Sequence, residues 1–211
     1  PDSEMYRIKG EGPQHKVTIS KPFYMGVYEV TQEQYEAVIG KNPSNFKGAT
    51  NPVEQVSWDE AAEFCKKLST KTGKTVLLPT EAQWELACRA GTSTPFNTGQ
   101  TIGADQANYA ALFTYGNGVK GENRKRTIPV GSFKPNGFGL YDMHGNVAEW
   151  CRDWYRTYSD KKEADPTGPT SGARRVLRGG GWNALPWDCR SAYRLIALDD
   201  RNRHFGFRVV V

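Results

Sequence analysis

The sequence predicts one α+β domain spanning residues 1–211, with its helices early and a long, irregular, strand-bearing half late. Three observations predict it. Three capping boxes each precede apolar residues at helical spacing, all ahead of Thr92. After Thr92 helical spacing vanishes and only short strand-like pieces remain. Glycine (22) and proline (12), with 12% aromatics, describe a compact, loop-rich chain rather than a disordered one or a helical bundle.

The first fifteen residues are polar and read as ragged. Lys16–Ser20 alternates Val17 and Ile19 as a short strand, and Phe23–Val30 (FYMGVYEV) reads as a richer one. Thr31 with Gln34 opens the first helix, whose inner face carries Tyr35, Val38 and Ile39. Ser57 with Glu60 opens the second, with Trp58, Ala61, Ala62, Cys65 and Leu68 in step. Thr80 with Gln83 opens the third, which carries Trp84, Ala87 and Cys88 and stops at Gly91. The later strands are expected at Glu149–Tyr155, Val176–Arg178, Arg190–Arg194 and Phe207–Val211. Trp58, Trp84, Trp150 and Trp154 are assigned to the core. A loop region this long is usually functional, or pinned by ions and buried polar networks.

Composition excludes several classes. No run approaches the ~18 apolar residues of a membrane span, and no export signal is present. Net charge is +5, but basic residues interleave with acids, and Arg124-Lys125-Arg126 and Arg174-Arg175 are too short for a nucleic-acid arm. Cys65, Cys88, Cys151 and Cys189 lie far apart without a CxxC pair, so zinc spacing is absent; Cys65 and Cys88 read as buried thiols. Whether Cys151 and Cys189 join is open.

Longer phrases then occur in a fixed order. They are Phe23–Gln32 (FYMGVYEVTQ), Pro52-Val53 with Val56-Ser57-Trp58, LPTEAQWE at 78–85, Pro129-Val130-Gly131 and NGFGLYDM at 136–143. GNVAEW at 145–150, Arg178-Gly179-Gly180 and Gly206-Phe207-Arg208 complete the set. Over nearly its whole length the chain resembles the formylglycine-generating-enzyme (sulfatase-modifying factor) family. The resemblance implies a C-type-lectin-like fold: a small twisted antiparallel sheet, flanking helices and long irregular loops. It also implies, for the true enzymes, a copper-binding cysteine pair five residues apart just after Arg-Gly-Gly, since thiolates suit copper(I). Here only Cys189 is present, so the chain is read as non-catalytic, with no copper or iron expected. The related iron enzymes use a histidine cluster, whereas this chain has only His15, His144 and His204; His144, in a Met-His-Gly-Asn loop, reads as structural. The family's calcium loops match Asn108 and Tyr109, with Glu122 loosely aligned, and a second group at Asp142, Gly145, Val147 and Glu149. Carboxylates and carbonyls there would offer structural Ca2+ its hard oxygen ligands; a satisfied buried polar network reads equally well.

The last residues obey a rule other than polarity. Lys, Glu, Gln and Met number 37 in residues 1–170 and none in 171–211, where roughly nine are expected at the earlier rate. Eight of the fourteen arginines fall in that same segment. Randomising the two adenines of an asparagine codon yields a set lacking Lys, Glu, Gln, Met and Trp. Ala184, Leu185, Asp188, Tyr193, Leu195, Ile196, Ala197, Leu198, Asp200, Asn202, Arg203 and His204 belong to that set. Trp187 departs from it, though an AGG codon allows it. Fixed-looking residues interrupt: Arg190-Ser191-Ala192, Arg194, Arg201 and Gly206-Phe207-Arg208. The pattern resembles the variable proteins of diversity-generating retroelements, in which a reverse transcriptase copies a template with errors at adenines. It implies a variable region over 181–208 and a ligand-binding face made by those twelve residues with Trp187.

On a strand over Arg190–Arg194, Tyr193 would face out while Ala192 and Arg194 face in. Leu195–Leu198 reads either as binding surface or as core. Three functions compete: a prokaryotic receptor-type binder of a protein or cell-surface ligand, an ordinary non-catalytic accessory domain, and a metal-dependent oxidase. The binder would be surface-displayed or secreted, the others cytoplasmic; a monomer is expected.

Overall fold

The computed structural model describes residues 3–198 and 200–211. The three helices form where their caps place them: α1 at Gln32–Ile39, α2 at Trp58–Thr72 and α3 at Glu81–Arg89. Each N-cap hydroxyl, from Thr31, Ser57 and Thr80, accepts the third residue's backbone N–H, and that residue's side chain answers on the cap's own N–H. Gly40 and Gly73 end α1 and α2 in left-handed conformation, at φ 88° and 69°. The third helix is capped by Ala90, one residue before the expected Gly91.

The strands are shorter than their sequence signals. β1 (Val17–Thr18) pairs in parallel with β3 (Glu163–Ala164). The central sheet has β2 (Ala148–Trp154), β4 (Arg175–Arg178), β5 (Leu195–Ala197) and β6 (Phe205–Gly206) in the order β5-β4-β2-β6. β4 runs antiparallel to both its neighbours, and β6 runs parallel to β2.

Three strand expectations are corrected. Phe23–Val30 makes only a bridge, Met25 to Val210, so its hydrogen bonds to the C-terminus never become a ladder. Phe207–Val211 likewise contributes bridges at Val210, and the strand there is Phe205–Gly206. Arg190–Arg194 is a turn rather than a strand, because the guanidinium groups at its two ends are drawn to different acids; β5 begins only at Leu195.

The main core joins α1, α2 and the sheet through Tyr35, Phe64, Leu78, Trp150, Leu177 and Phe207. Trp84 and Trp150 are fully buried. Trp58 and Trp154 are only half-buried, and they hold the Arg175 guanidinium 3.4 Å from each ring centroid.

Buried polar groups hold the loops. The Gln32 amide donates to the Phe46 and Pro52 carbonyls and accepts from Asn42 and Gly48. Asn146 ties Glu29, Asn108 and both polar backbone groups of Ile128 together. Four fully buried arginines do the rest. Arg178 donates to Glu81 and Glu85 at 2.7 Å each, and Arg194 forks onto Glu81 at 2.7 Å. Arg190 forks onto Glu11 at 2.6 and 2.7 Å and adds Glu4, while Arg208 forks onto Glu149 at 2.6 and 2.7 Å.

Breaking such a pair strands a buried charge, which costs about 3–5 kcal/mol. The Glu81→Gln variant, which weakens the hold on both Arg178 and Arg194, is expected to lose that much in urea unfolding. Glu63→Ala, which removes only an exposed helical pair with Lys67, should change stability by less than about 0.5 kcal/mol.

Candidate ligand-binding face

The thirteen face residues separate from their neighbours by burial. Leu198, Asp200 and Arg203 are exposed, and the other ten are half-buried. Arg190, Ser191, Arg194, Phe205, Gly206, Phe207 and Arg208, interleaved with them, are all buried. Of the fixed-looking residues, Ala192 is half-buried, and Arg201 is exposed and forks onto Glu60.

Two lobes make up the surface. In the first, a 3-10 turn at Pro186–Cys189 presents Trp187 and Asp188. Trp187 stacks on Tyr6 at 4.5 Å and meets Phe113 edge-on at 6.4 Å. The Tyr193 hydroxyl donates to Asp188. Burial, then the Asp188 charge, pushes that phenol up to about 12, so Tyr193 stays a neutral donor. In the second lobe, Arg203 lies over Trp182 at 5.3 Å, and its carbonyl accepts the Trp182 indole N–H at 2.9 Å. His204 sits 3.4 Å from the Asn183 amide, which joins the lobes. Burial, helped by Arg203, pulls His204 down to about 4, leaving it neutral at pH 7.

The apolar run on β5 divides. Leu195 and Ala197 pack against the main core, while Ile196 points to the other face and Leu198 is 57% exposed. Ala184 and Trp187 also lean on a smaller core around Phe96 and Tyr109. Sequence reasoning missed Tyr6 and Phe113, each half exposed beside Trp187. Neither has a periodic signal: one lies in the polar N-terminus, the other in an irregular loop.

The cysteines and His144 are buried, and all four cysteines are free. Burial pushes the Cys189 thiol well up, and five residues upstream stands Ala184. His144 donates through Nδ1 to the Cys189 carbonyl at 2.7 Å and accepts the Asn97 N–H through Nε2 at 3.0 Å. Both ring nitrogens are therefore spent.

Of the two calcium groups, the second has the chemistry for a hard cation. Asp142 accepts the Gly131 N–H through Oδ2, while its buried Oδ1 has no hydrogen-bond partner. Glu29, Asp142 and Glu149 are all buried and interact, yet Arg208 is the guanidinium they share. Burial, then Asp142 and Glu149, pushes Glu29 well above the usual carboxylate range. A cation would relieve that excess, although Glu149 already accepts from Arg208 and from the Trp84 indole. At the first group Asn108 Oδ1 is also unpartnered, but the Tyr109 hydroxyl donates to Ile102, and Glu122 is largely exposed and paired with Arg124. The carboxylate aligned with that group is thus committed to Arg124.

The fold and these positions define the class. Residues 2–211 match the model of the sulfatase-modifying factor enzyme 1-like domain, and the chain belongs to that family. Its architecture is the C-type-lectin-like variant of this family. The structure of Treponema denticola variable protein 1 superposes with a TM-score of 0.83 at 30% identity, over 95% of this chain and 88% of that one. Among curated relatives, the formylglycine-generating enzyme of Mus musculus is 34% identical over 92% of this chain and 52% of its own length. Chaperone protein LppX of Paenibacillus barcinonensis is 34% identical over 79% of this chain and 71% of its own. Other relatives are longer still, with the chain spanning 32% of them.

The buried neutral His144 sets an acid limit. Burial lowers its pKa from 6.5 to about 4. Between those values the unfolded chain binds the proton and the native chain does not, so stability falls as pH drops through that window. The amount is about 3 kcal/mol by pH 4. His144→Asn, which keeps one donor and one acceptor, should lose about that much less than the parent between pH 7 and pH 4 in urea titrations.

Proposed function

We propose that this domain is a non-catalytic, receptor-type binding protein whose region 181–208 is diversified by adenine-directed retroelement mutagenesis. The observation that carries the reading is the burial pattern. The residues that fit randomised asparagine codons lie at or near the surface, while most of the arginines, glycines and aromatics between them are buried anchors. Exposed substitutions away from special features usually change stability by about 0.5 kcal/mol or less. Such positions can vary while the scaffold holds. The likeness to a variable protein of the same fold supports the reading.

The recognition chemistry follows from the side chains. Trp187 and Tyr193 are rigid aromatic anchors, and Asp200, Arg203 and neutral His204 add directional contacts around them. A protein or cell-surface ligand suits that mixture, with the domain displayed or secreted. Leu195 and Ala197 pack on the core, so at those two positions only small to medium apolar residues should be tolerated. That packing is also what favours the second reading, an ordinary accessory domain of the family. Asp142 and Glu149, with the Gly145 and Val147 carbonyls, would hold calcium as a structural ion.

Sequencing downstream of the gene should reveal a near-copy of the 181–208 segment that differs only at adenines, followed by a reverse transcriptase gene; without such a copy the diversification reading fails. Replacing Leu198, Asp200, Arg203 and His204 together by alanine should leave the melting temperature within a few degrees and abolish capture of the ligand. Saturating calcium should raise the melting temperature of the parent but not of Asp142→Asn; no shift in the parent would remove the ion. Copper or iron retained after soaking and desalting would argue for the oxidase.

A further inference from the structure

Beside α3 lies a cavity of about 590 Å³. Its walls come from the N-terminal segment, from α3 and from the loop that follows β2, and none of the thirteen face residues lines it. The volume is that of a small-molecule site. Much of the lining is apolar: Pro13, Val17, Ile19, Leu86, Pro166 and Ala192.

Most of the charges around it are engaged, that of the lining residue Arg7 included. Glu4 and Glu11 are spent on Arg190. Glu81 and Glu85 are spent on Arg178, Arg194 and Arg89, and Glu163 on Arg156. Asp153 is left over. It is 5% exposed, its Oδ2 accepts the Glu81 backbone N–H at 2.8 Å, and its Oδ1 has no hydrogen bond among the described residues. Gly168, at φ 71°, brings the loop backbone close to that oxygen; a Cβ there would sit 3.2 Å from it.

We propose that this cavity binds a small organic cation, an amine with a compact apolar body, whose ammonium group pairs with Asp153 Oδ1. Asp153 Oδ2 already holds the Glu81 N–H, and an ammonium would bring Oδ1 both a charge and hydrogen bonds. A metal ion fits less well, because one carboxylate is too few for a hard cation, and the described residues hold no cluster of three ligating side chains. An anion would meet Asp153 with nothing free to receive it. The site does not depend on the diversified face.

Ionisation gives the site a signature. Burial pushes the Asp153 carboxyl up to about 6, and the Glu81 carboxylate adds to that; the Glu81 N–H, Arg152 and Arg194 act the other way. Arg156, Tyr158, Glu163 and His15 also line the cavity. The amine pairs with the ionised form, so affinity is full above pH 6 and declines as the pH falls through 6, by about tenfold per unit at the limit.

The probe is benzylamine, with benzyl alcohol and benzoate as matched controls, titrated by NMR and calorimetry against the full chain at pH 7.5. Expected are saturable amine binding, at least tenfold weaker binding of both controls, and at least tenfold loss in Asp153→Asn, which keeps an acceptor for the Glu81 N–H. Ala82→Phe, which fills the cavity from α3 and leaves the Asp153 carboxylate in the chain, should abolish binding as well. The decline below pH 6 should persist in His15→Gln. Equal binding of amine and alcohol, undiminished binding by Ala82→Phe or by a folded Asp153→Asn, loss of the decline in His15→Gln, or no saturable amine binding would each overturn the proposal. None of these outcomes bears on the thirteen face residues, which lie outside the cavity lining.

Discussion

The structure depends on buried guanidinium–carboxylate pairs. Sheet and helices together account for a modest part of the chain, and the long loops between them have little ladder to hold them. Arg178, Arg190, Arg194 and Arg208 replace that ladder with forked, charge-assisted bonds to Glu81, Glu85, Glu11, Glu4 and Glu149. A buried ion pair is rarely worth more than a good apolar contact, but each arginine accepts only one arrangement of its partners. It therefore fixes where a loop runs. Glu81 is the most committed residue, since it receives two arginines at the start of α3 while its own N–H caps onto Asp153.

Those anchors give the C-terminal segment a fixed path beneath its exposed side chains. Arg190 and Arg194 point inward to acids contributed by the N-terminal segment and α3, and Arg208 points to β2. Between Arg194 and Arg208 the chain comes to the surface at Leu198, Asp200 and Arg203. The path is set by side chains turned away from that surface. The two β5 residues turned to the core, Leu195 and Ala197, show the limit of this separation: a strand at the sheet edge still has one face inside.

The same polar interior has an electrostatic consequence. Glu29, Asp142 and Asp153 are buried and pushed towards protonation, whereas Glu81 and Glu85 are held ionised by their arginines. His144 is kept neutral between Asn97 and Cys189. Each group is defined by whether a partner of opposite charge reached it. Where one did not, burial pushes the carboxyl towards its neutral form.

The sequence by itself determined the helices. Thr31, Ser57 and Thr80 satisfy orphan N–H groups within three residues of themselves, so their caps are local facts readable without a fold. It also determined, through motif order, the family. The strands were less legible. Phe23–Val30 is apolar enough for a strand but finds a ladder partner only at Met25, because pairing depends on what lies alongside. Arg190–Arg194 reads as an alternating strand, yet its arginines fold it into a turn towards Glu11 and Glu81, more than a hundred residues away. Only the tertiary structure decided that Tyr6 and Phe113 flank Trp187, that Leu195 faces the core while Ile196 does not, and that Asp153 is left unpaired. The physical reason is one of range: caps and spacing act within a turn of helix, whereas burial and charge pairing are properties of neighbours that the chain brings together only by folding.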